Sequence, residues 1–276
     1  MLKIENFEVL GWEHAIRGMR NPKNSWEKSD SDFQARRDLY YRDPEVMSFV
    51  DEDGNLFMMD GVDIGPNDHD LMTRLAAGGP VHAKYRRMIT VYLDITAPLY
   101  WWKEYDTYKV GTVANSCSTM HKIHEKEFTL DDFSHEQLID GHDIIENKAL
   151  EDNLDILEKY QLEGQILANG EHDLMVVESE DRIEYLSPTD ILEVYVISAL
   201  NLYRDLYLKT KDKKYWWQMI QLLPSSYNQK RTVMLNYEVL ANIYRWRRDH
   251  KLDEWHTFCD WIEGLPYSEL ITGVAK

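Results

Sequence analysis

Cysteine is scarce in this sequence of 276 residues, which contains only Cys117 and Cys259. Two cysteines cannot build the framework of several disulfides that small secreted proteins use for stability. The sequence also lacks an apolar run that approaches the roughly 18 residues of a membrane-spanning helix, and its first residues lack the basic and apolar regions of a signal peptide. These absences predict a cytoplasmic protein that does not cross a membrane.

Positive charge is also in short supply. The chain has 31 Lys and Arg residues against 49 Asp and Glu residues, which gives a formal net charge of -18 at pH 7. Such a charge repels polyanions, so nucleic acid and anionic membranes are excluded as broad partners. A small phosphorylated ligand stays compatible with this charge, because a few cations in a cleft outweigh distant charges that salt screens.

Signature motifs of common enzyme classes are absent as well. The sequence has no glycine-rich phosphate loop, no His-Glu-x-x-His motif and no paired Cys-x-x-Cys motif. His121 and His124 have the spacing of two metal ligands, but no third ligand stands at a suitable distance along the chain, and a solvated turn explains them. Cys117 has no identified base beside it and is interpreted as structural. No metal site is predicted.

Aromatic residues are abundant, and periodic patterns predict a helix-rich chain. The 9 Trp and 17 Tyr residues suit large flat contacts in a core, between subunits or around a planar ligand. Asn67 begins and Gly78 ends a short predicted helix. The alternation of apolar residues from Ile89 to Ile95 predicts a half-buried strand. Residues 1–66 are expected to be largely irregular.

Further elements follow from the same patterns. Ser187 and Asp190 form a start signal for a helix that reaches Lys209. One predicted helix has Val239, Leu240, Ile243 and Trp246 on its buried face. The remaining predictions are helices over 99–109, 133–139, 152–162, 215–223, 232–250 and 254–264, a loop over 112–121, and a hairpin over 173–186.

Two segments share an order of motifs with one protein family. Residues 97–121 contain an Ala-Pro step after the predicted strand, an aromatic helix, and a small polar loop with Asn115 and Ser118. Residues 222–247 contain Leu-Pro and then, without a gap, Asn236 at the asparagine of that family's Asn-x-Arg motif. Leu240, Asn242 and Arg247 follow in the pattern Leu-x-Asn-(x)4-Arg. This ordered pair of segments resembles the flavin-dependent thymidylate synthases.

The resemblance implies an α+β fold that is rich in helices and has a small antiparallel sheet. It implies a single domain over 1–276, with a divergent N-terminal part and an acidic insertion near 125–186. The family forms homotetramers that bind FAD between subunits. Its members transfer a methylene group from methylenetetrahydrofolate to the uracil of dUMP, with the flavin as reductant.

The resemblance also implies roles for individual residues. Asn236 and Asn242 would contact the flavin, because an amide offers both a donor and an acceptor. Tyr108 and Lys109 would join them, since they fall on the family's Arg-His-Arg motif. The candidate catalytic residues are Ser118 and Arg247, which would face the nucleotide. The expected substrate contacts are Lys103, Asn115, Ser118, Lys230 and Arg247.

Several arginines of the family are missing from this chain. Each charge-assisted hydrogen bond contributes about 1.5 to 3 kcal/mol, so their loss disfavours the family's usual pose of dUMP. Lys103, Lys109, Lys230 and Arg231 could supply compensating charge, although lysine lacks the fork of a guanidinium. The residues that replace charged residues of the family are Tyr108, Val110, Ser116, Met120, Ile220, Gln221 and Glu238.

Three interpretations therefore stay open. The leading hypothesis is a flavin-dependent one-carbon transfer to a pyrimidine nucleotide. The alternative is a non-catalytic relative of the same fold that acts as a binding or assembly protein. In an unrelated α-rich interaction module, every aromatic would belong to the core, and Asn236 and Asn242 would be a helix cap and an exposed polar residue.

Overall fold

The computed structural model describes residues 2–33, 48–50, 56–59, 63–138, 175–179 and 182–273. These residues fall into two compact units. The first unit comprises Met1 and Ser118–Asn228, and the second comprises Leu2–Cys117 and Gln229–Lys276. The single domain expected over 1–276 stays a prediction.

The described residues of the N-terminal half supply five strands and three α-helices to the second unit. Gly11 separates the first strand from the first helix with a φ of 94°, and a Cβ at this position would lie 2.1 Å from the carbonyl oxygen of Met88. Only glycine fits such a close approach. The elements are β1 (Lys3–Leu10), α1 (Trp12–Arg20), β2 (Ser48–Val50), β3 (Leu56–Met59), α2 (Pro66–Ala77), β4 (Thr90–Pro98), α3 (Leu99–Tyr105) and β5 (Val113–Ser116).

The described part of the first unit contains the predicted hairpin and the helices that follow it. The hairpin is confirmed, with β6 (Met175–Ser179) antiparallel to β7 (Arg182–Leu186). Ser187 and Asp190, the predicted start of a helix, form a capping box in which each side chain accepts the other's backbone N–H. A π-helical segment, Ile191–Ile197, then leads into α4 (Ser198–Thr210), and α5 (Lys213–Leu222) follows. Leu200 and Met219 are fully buried in the core of this unit.

The C-terminal part returns to the second unit. Strand β8 (Asn228–Asn236) runs directly into α6 (Tyr237–Arg247), followed by α7 (Asp253–Gly264) and the short α8 (Glu269–Thr272). The indole N–H of Trp102 donates to the carbonyl oxygen of Gln229 at 2.9 Å, which ties β8 to α3. Trp101 lies at the centre of an aromatic cluster, 4.7 Å from the ring of Trp255.

The strands of the second unit form one sheet in the order β2-β3-β1-β4-β8-β5. Strand β1 is parallel to β3 and antiparallel to β4, while β5 is antiparallel to β8. The alternation predicted in β4 is confirmed, because Val91, Leu93 and Ile95 are buried. The predicted α+β class is also confirmed. Among the described helices, none combines the length and the apolar character of a membrane span.

Some local predictions are wrong. The helix expected over 99–109 ends at Tyr105, and part of the predicted loop is strand β5, because these residues pair with β8. Residues 133–138 are not helical, since Phe133 forms a β-bridge with Tyr227. Strand β8 replaces the first residues of the helix expected over 232–250. The helix expected over 152–162 lies outside the described residues.

A buried ion pair fixes the segment that precedes α2. Asp68 is fully buried and accepts hydrogen bonds from Arg20 Nε at 2.6 Å and from the hydroxyls of Ser29 and Ser31 at 2.6 and 2.7 Å. Burial by itself raises the pKa of Asp68, but these hydrogen bonds outweigh burial and hold the pKa below its usual value. The contribution of Asp68 to stability is therefore present at neutral pH and is lost as the pH falls through this lowered pKa.

We predict that Asp68→Asn lowers the free energy of unfolding by about 3 to 5 kcal/mol, because the charge of Arg20 would lose its partner. Urea unfolding at pH 7 measures this change. The matched control is Asp70→Asn in the same helix, whose exposed pair with Arg74 should contribute less than about 1 kcal/mol. Equal stability of the two variants would contradict this role of Asp68.

Candidate functional site

A cavity of about 450 Å³ in the second unit lies beside the N-terminus of α6. We call it the Asn236 cavity. Its volume falls in the range of small-molecule sites. All four residues predicted to contact the cofactor line it, although they come from segments more than a hundred residues apart. The lining residues are Arg87, Thr107, Tyr108, Lys109, Val110, Gly111, Asn236, Glu238, Val239 and Asn242.

Asn236 is the N-cap of α6. Its Oδ1 accepts hydrogen bonds from the backbone N–H groups of Glu238 and Val239, both at 3.1 Å. Its Nδ2 lies next to Gly111, where a Cβ would come within 3.1 Å of that nitrogen. These capping hydrogen bonds use the amide oxygen of Asn236, so this side chain can offer its Nδ2–H groups to a ligand.

Asn242 is exposed in the same cavity and lies on the same face of α6 as Glu238 and Val239, since residues three and four apart are neighbours on a helix. No hydrogen bond joins its side chain to any other residue that the structure describes. Both the donor and the acceptor of this amide are therefore available. A flavin ring presents carbonyl and imide groups, which this donor and acceptor match.

The charges of the Asn236 cavity are predominantly positive. Arg87 and Lys109 are exposed and form no ion pair within the described ranges. Glu238, which replaces an arginine of the family, pairs with the buried Arg86 at 2.8 Å. Because this pair neutralises Glu238, the cavity keeps the two cations. The sequence analysis missed Arg86 and Arg87, although two consecutive arginines directly before the clearest strand were a usable signal.

Arg247 is held inside its own chain. Its Nε donates to the hydroxyl of Tyr108 at 2.9 Å, and Nη1 pairs with the carboxylate of Glu104. The guanidinium also stacks on Trp255, 4.9 Å from the ring centroid. Arg247 does not line the Asn236 cavity, but it holds Tyr108, which does. Its predicted contact with a nucleotide stays a prediction.

Lys230 and Arg231 are also engaged by carboxylates. Lys230 Nζ lies 3.2 Å from Asp94 and 3.4 Å from Glu5. Burial lowers the pKa of Lys230, but its hydrogen bond to Asp94 and the two negative charges outweigh burial and raise that pKa. Arg231 pairs with Asp106 at 2.8 Å. Neither cation is available to a substrate without leaving a carboxylate partner.

The other predicted substrate contacts do not line this cavity. Lys103 is exposed on α3, and Asn115 is exposed on β5 opposite Thr232. Ser118 belongs to the first unit, where its hydroxyl accepts hydrogen bonds from the backbone of Met120 and His121 at 3.2 and 2.8 Å. Their roles stay predictions. In the described part of the chain, no group of three or more His, Cys, Asp or Glu side chains could hold a metal ion.

Comparison with known proteins shows the fold. No family model and no curated protein matches the sequence. The structure is similar to thymidylate synthase X from Helicobacter pylori with FAD and dUMP, with a TM-score of 0.54, 15% identity, and coverage of 99% of this chain and 98% of that one. A second structure, the flavin-dependent thymidylate synthase of Helicobacter pylori complexed with FAD and dUMP, has a TM-score of 0.52, 16% identity, and coverage of 99% and 100%. The predicted flavin-dependent thymidylate synthase-like fold is confirmed.

We predict that Asn236→Ala lowers the free energy of unfolding by about 1 kcal/mol, because two N–H groups of α6 lose their acceptor. Asn236→Asp should retain the stability, since a carboxylate accepts the same bonds and its charge is favourable at a helix N-terminus. Urea unfolding measures both. Asn242→Ala is the matched control and should change stability by less than about 0.5 kcal/mol. If Asn236→Ala is as stable as the parent chain, Asn236 is not an effective cap.

Proposed function

We propose that this protein binds a flavin, as FAD, in the Asn236 cavity and uses it in one-carbon transfer to a pyrimidine nucleotide. One observation carries the proposal: Tyr108, Lys109, Asn236 and Asn242, chosen for cofactor contacts from the sequence, line one cavity. The likeness to two structures that contain FAD and dUMP supports it. A cytoplasmic location remains a prediction.

The residues of the cavity suit such a ligand in specific ways. Asn242 offers a donor and an acceptor to the ring or ribityl edge, and Asn236 offers the N–H groups that its cap leaves available. Arg87 and Lys109 supply positive charge for phosphate oxygens. A bound flavin would supply the hydride, so the chain itself needs to bind, orient and polarise rather than to provide a nucleophile.

We expect added FAD to bind to the purified protein, with quenching of flavin fluorescence as the readout. Asn242→Ala should raise the dissociation constant about tenfold, because one or two hydrogen bonds of about 0.5 to 1.5 kcal/mol each are lost. The matched control is Asn67→Ala, an exposed asparagine in α2 that does not line the cavity. A parent protein that does not bind FAD, or equal affinities of the two variants, would contradict the proposal.

The non-catalytic alternative is favoured by a different observation. Arg247 and Lys230, expected at the nucleotide, are paired with Glu104 and with Asp94 and Glu5. A relative that has lost its nucleotide would keep the scaffold and use such pairs for stability. Both functions retain the proposed homotetramer, whose mass light scattering measures.

Titration with dUMP separates the two functions. If Arg247 binds the nucleotide, Glu104→Gln should lower the dissociation constant of dUMP about fivefold, because the guanidinium is no longer neutralised. Asp70→Asn removes the same charge from an exposed position and serves as the control. A protein that binds FAD but no dUMP, with or without Glu104, would identify the non-catalytic relative.

A further inference from the structure

A second cavity, of about 660 Å³, lies in the second unit on a different face of α6. We call it the Arg245 cavity. Helices α2, α6 and α8 form its walls. Alanine and aliphatic side chains, among them Ala77, Ala241 and Ile271, provide much of the apolar lining. Helix α6 contributes residues to both cavities, but no described residue lines both. Arg86, in the wall of the Arg245 cavity, pairs with Glu238, which lines the Asn236 cavity.

Two arginines of this cavity are not neutralised by buried partners. Arg245 has no ion-pair or hydrogen-bond partner among the residues that the structure describes. Arg248 Nε lies 3.4 Å from Asp249 in an exposed contact, and its guanidinium lies 5.9 Å from the ring centroid of Tyr244. Arg245 and Arg248 are three residues apart at the end of α6, so their side chains lie on the same side of the helix. Positive side chains stabilise the C-terminus of a helix, but that role does not require both arginines to line a cavity.

A third arginine lies in the wall of the same cavity. Arg86 is 6% exposed, and its two terminal nitrogens are occupied by Leu270 O and Glu238. Its buried Nε–H has no acceptor within the described part of the chain. Buried donors are rarely left unsatisfied in folded proteins. An oxygen atom that enters from the cavity would supply the missing acceptor.

Two acidic residues also line the cavity. Glu269 is bound by His69 at 2.6 Å, and Asp249 is largely exposed to solvent, where water screens its charge. The net charge of the whole chain is -18, but salt screens charges beyond about 8 Å, so the residues of the cavity itself decide what binds there. Paired guanidinium groups bind phosphate and carboxylate oxygens in forked geometry.

We propose that the Arg245 cavity is a second ligand site for a small organic anion. Arg245 and Arg248 bind its phosphate or carboxylate group, and its apolar body packs against Ala77, Ala241 and Ile271. This site is separate from the proposed flavin site, because its charged residues do not line the Asn236 cavity.

Isothermal titration calorimetry of the full chain with phenyl phosphate, benzoate and inorganic phosphate tests the site. We expect binding of phenyl phosphate or benzoate, with the tighter of the two identifying the charged group. The double variant Arg245→Gln/Arg248→Gln should weaken this binding at least about tenfold. Ala77→Trp, which fills the apolar side without changing charge, should weaken phenyl phosphate more than inorganic phosphate.

Two controls keep the outcome unambiguous. Arg17→Gln removes an exposed arginine from α1 and should leave the binding unchanged. Arg87→Gln tests the Asn236 cavity, so a loss confined to Arg87→Gln would overturn the second site. Absence of heat with every probe, or equal binding by the parent and the double variant, would also overturn it. Circular dichroism melting confirms that each variant is folded, and FAD binding is measured separately.

Discussion

Strand β8 ends at Asn236, and helix α6 begins directly after it. The side chain of Asn236 caps this helix by accepting hydrogen bonds from the backbone N–H groups of Glu238 and Val239. The next residue secures the junction on two sides, since the backbone N–H of Tyr237 donates to Ile89 O at 3.1 Å and its hydroxyl donates to Pro266 O at 2.6 Å. The direction of α6 is thereby fixed relative to the sheet. Both cavities depend on this direction, because different faces of α6 line them.

The ion pairs determine which charged side chains in the two cavities are neutralised and which are not. Glu238 would place a negative charge beside the proposed flavin, but Arg86 neutralises it. Arg247 and Lys230, both expected at the nucleotide, are paired within the chain, whereas Arg87, Lys109 and Arg245 have no ion-pair partner among the described residues. Arg87, Lys109 and Arg245 therefore supply unpaired positive charge in the two cavities, while the cations along the sheet and at Arg247 are neutralised. This pattern agrees better with the proposed flavin site than with a nucleotide bound by Arg247 and Lys230.

The sequence predicted features that depend on local patterns and on ordered motifs. Three features follow from neighbouring residues and are present in the structure: the alternation in β4, the helix start at Ser187, and helix α7. The convergence of Lys109 and Asn242 in one cavity was predictable from motif order, since a shared fold brings the same segments together.

Features that arise from distant pairing could not be predicted. Strands β1 and β5 form because they pair with residues far along the chain, and their own sequences do not alternate clearly. Val239, Leu240 and Ile243 of α6 are buried as predicted, but Trp246 is 69% exposed, because the buried face includes Tyr244 instead of Trp246. The pairing of Glu238 with Arg86 likewise depends on the packing of α6 against the segment before β4.

The central claim is that the cavity beside the Asn236 cap holds a flavin. A crystal structure of the protein grown with FAD tests this claim most directly. The account predicts that part of the FAD occupies the Asn236 cavity, with a polar atom within hydrogen-bond distance of the Asn242 amide. FAD bound at another place on the chain, or a cavity that stays without FAD at saturating concentration, would contradict the account.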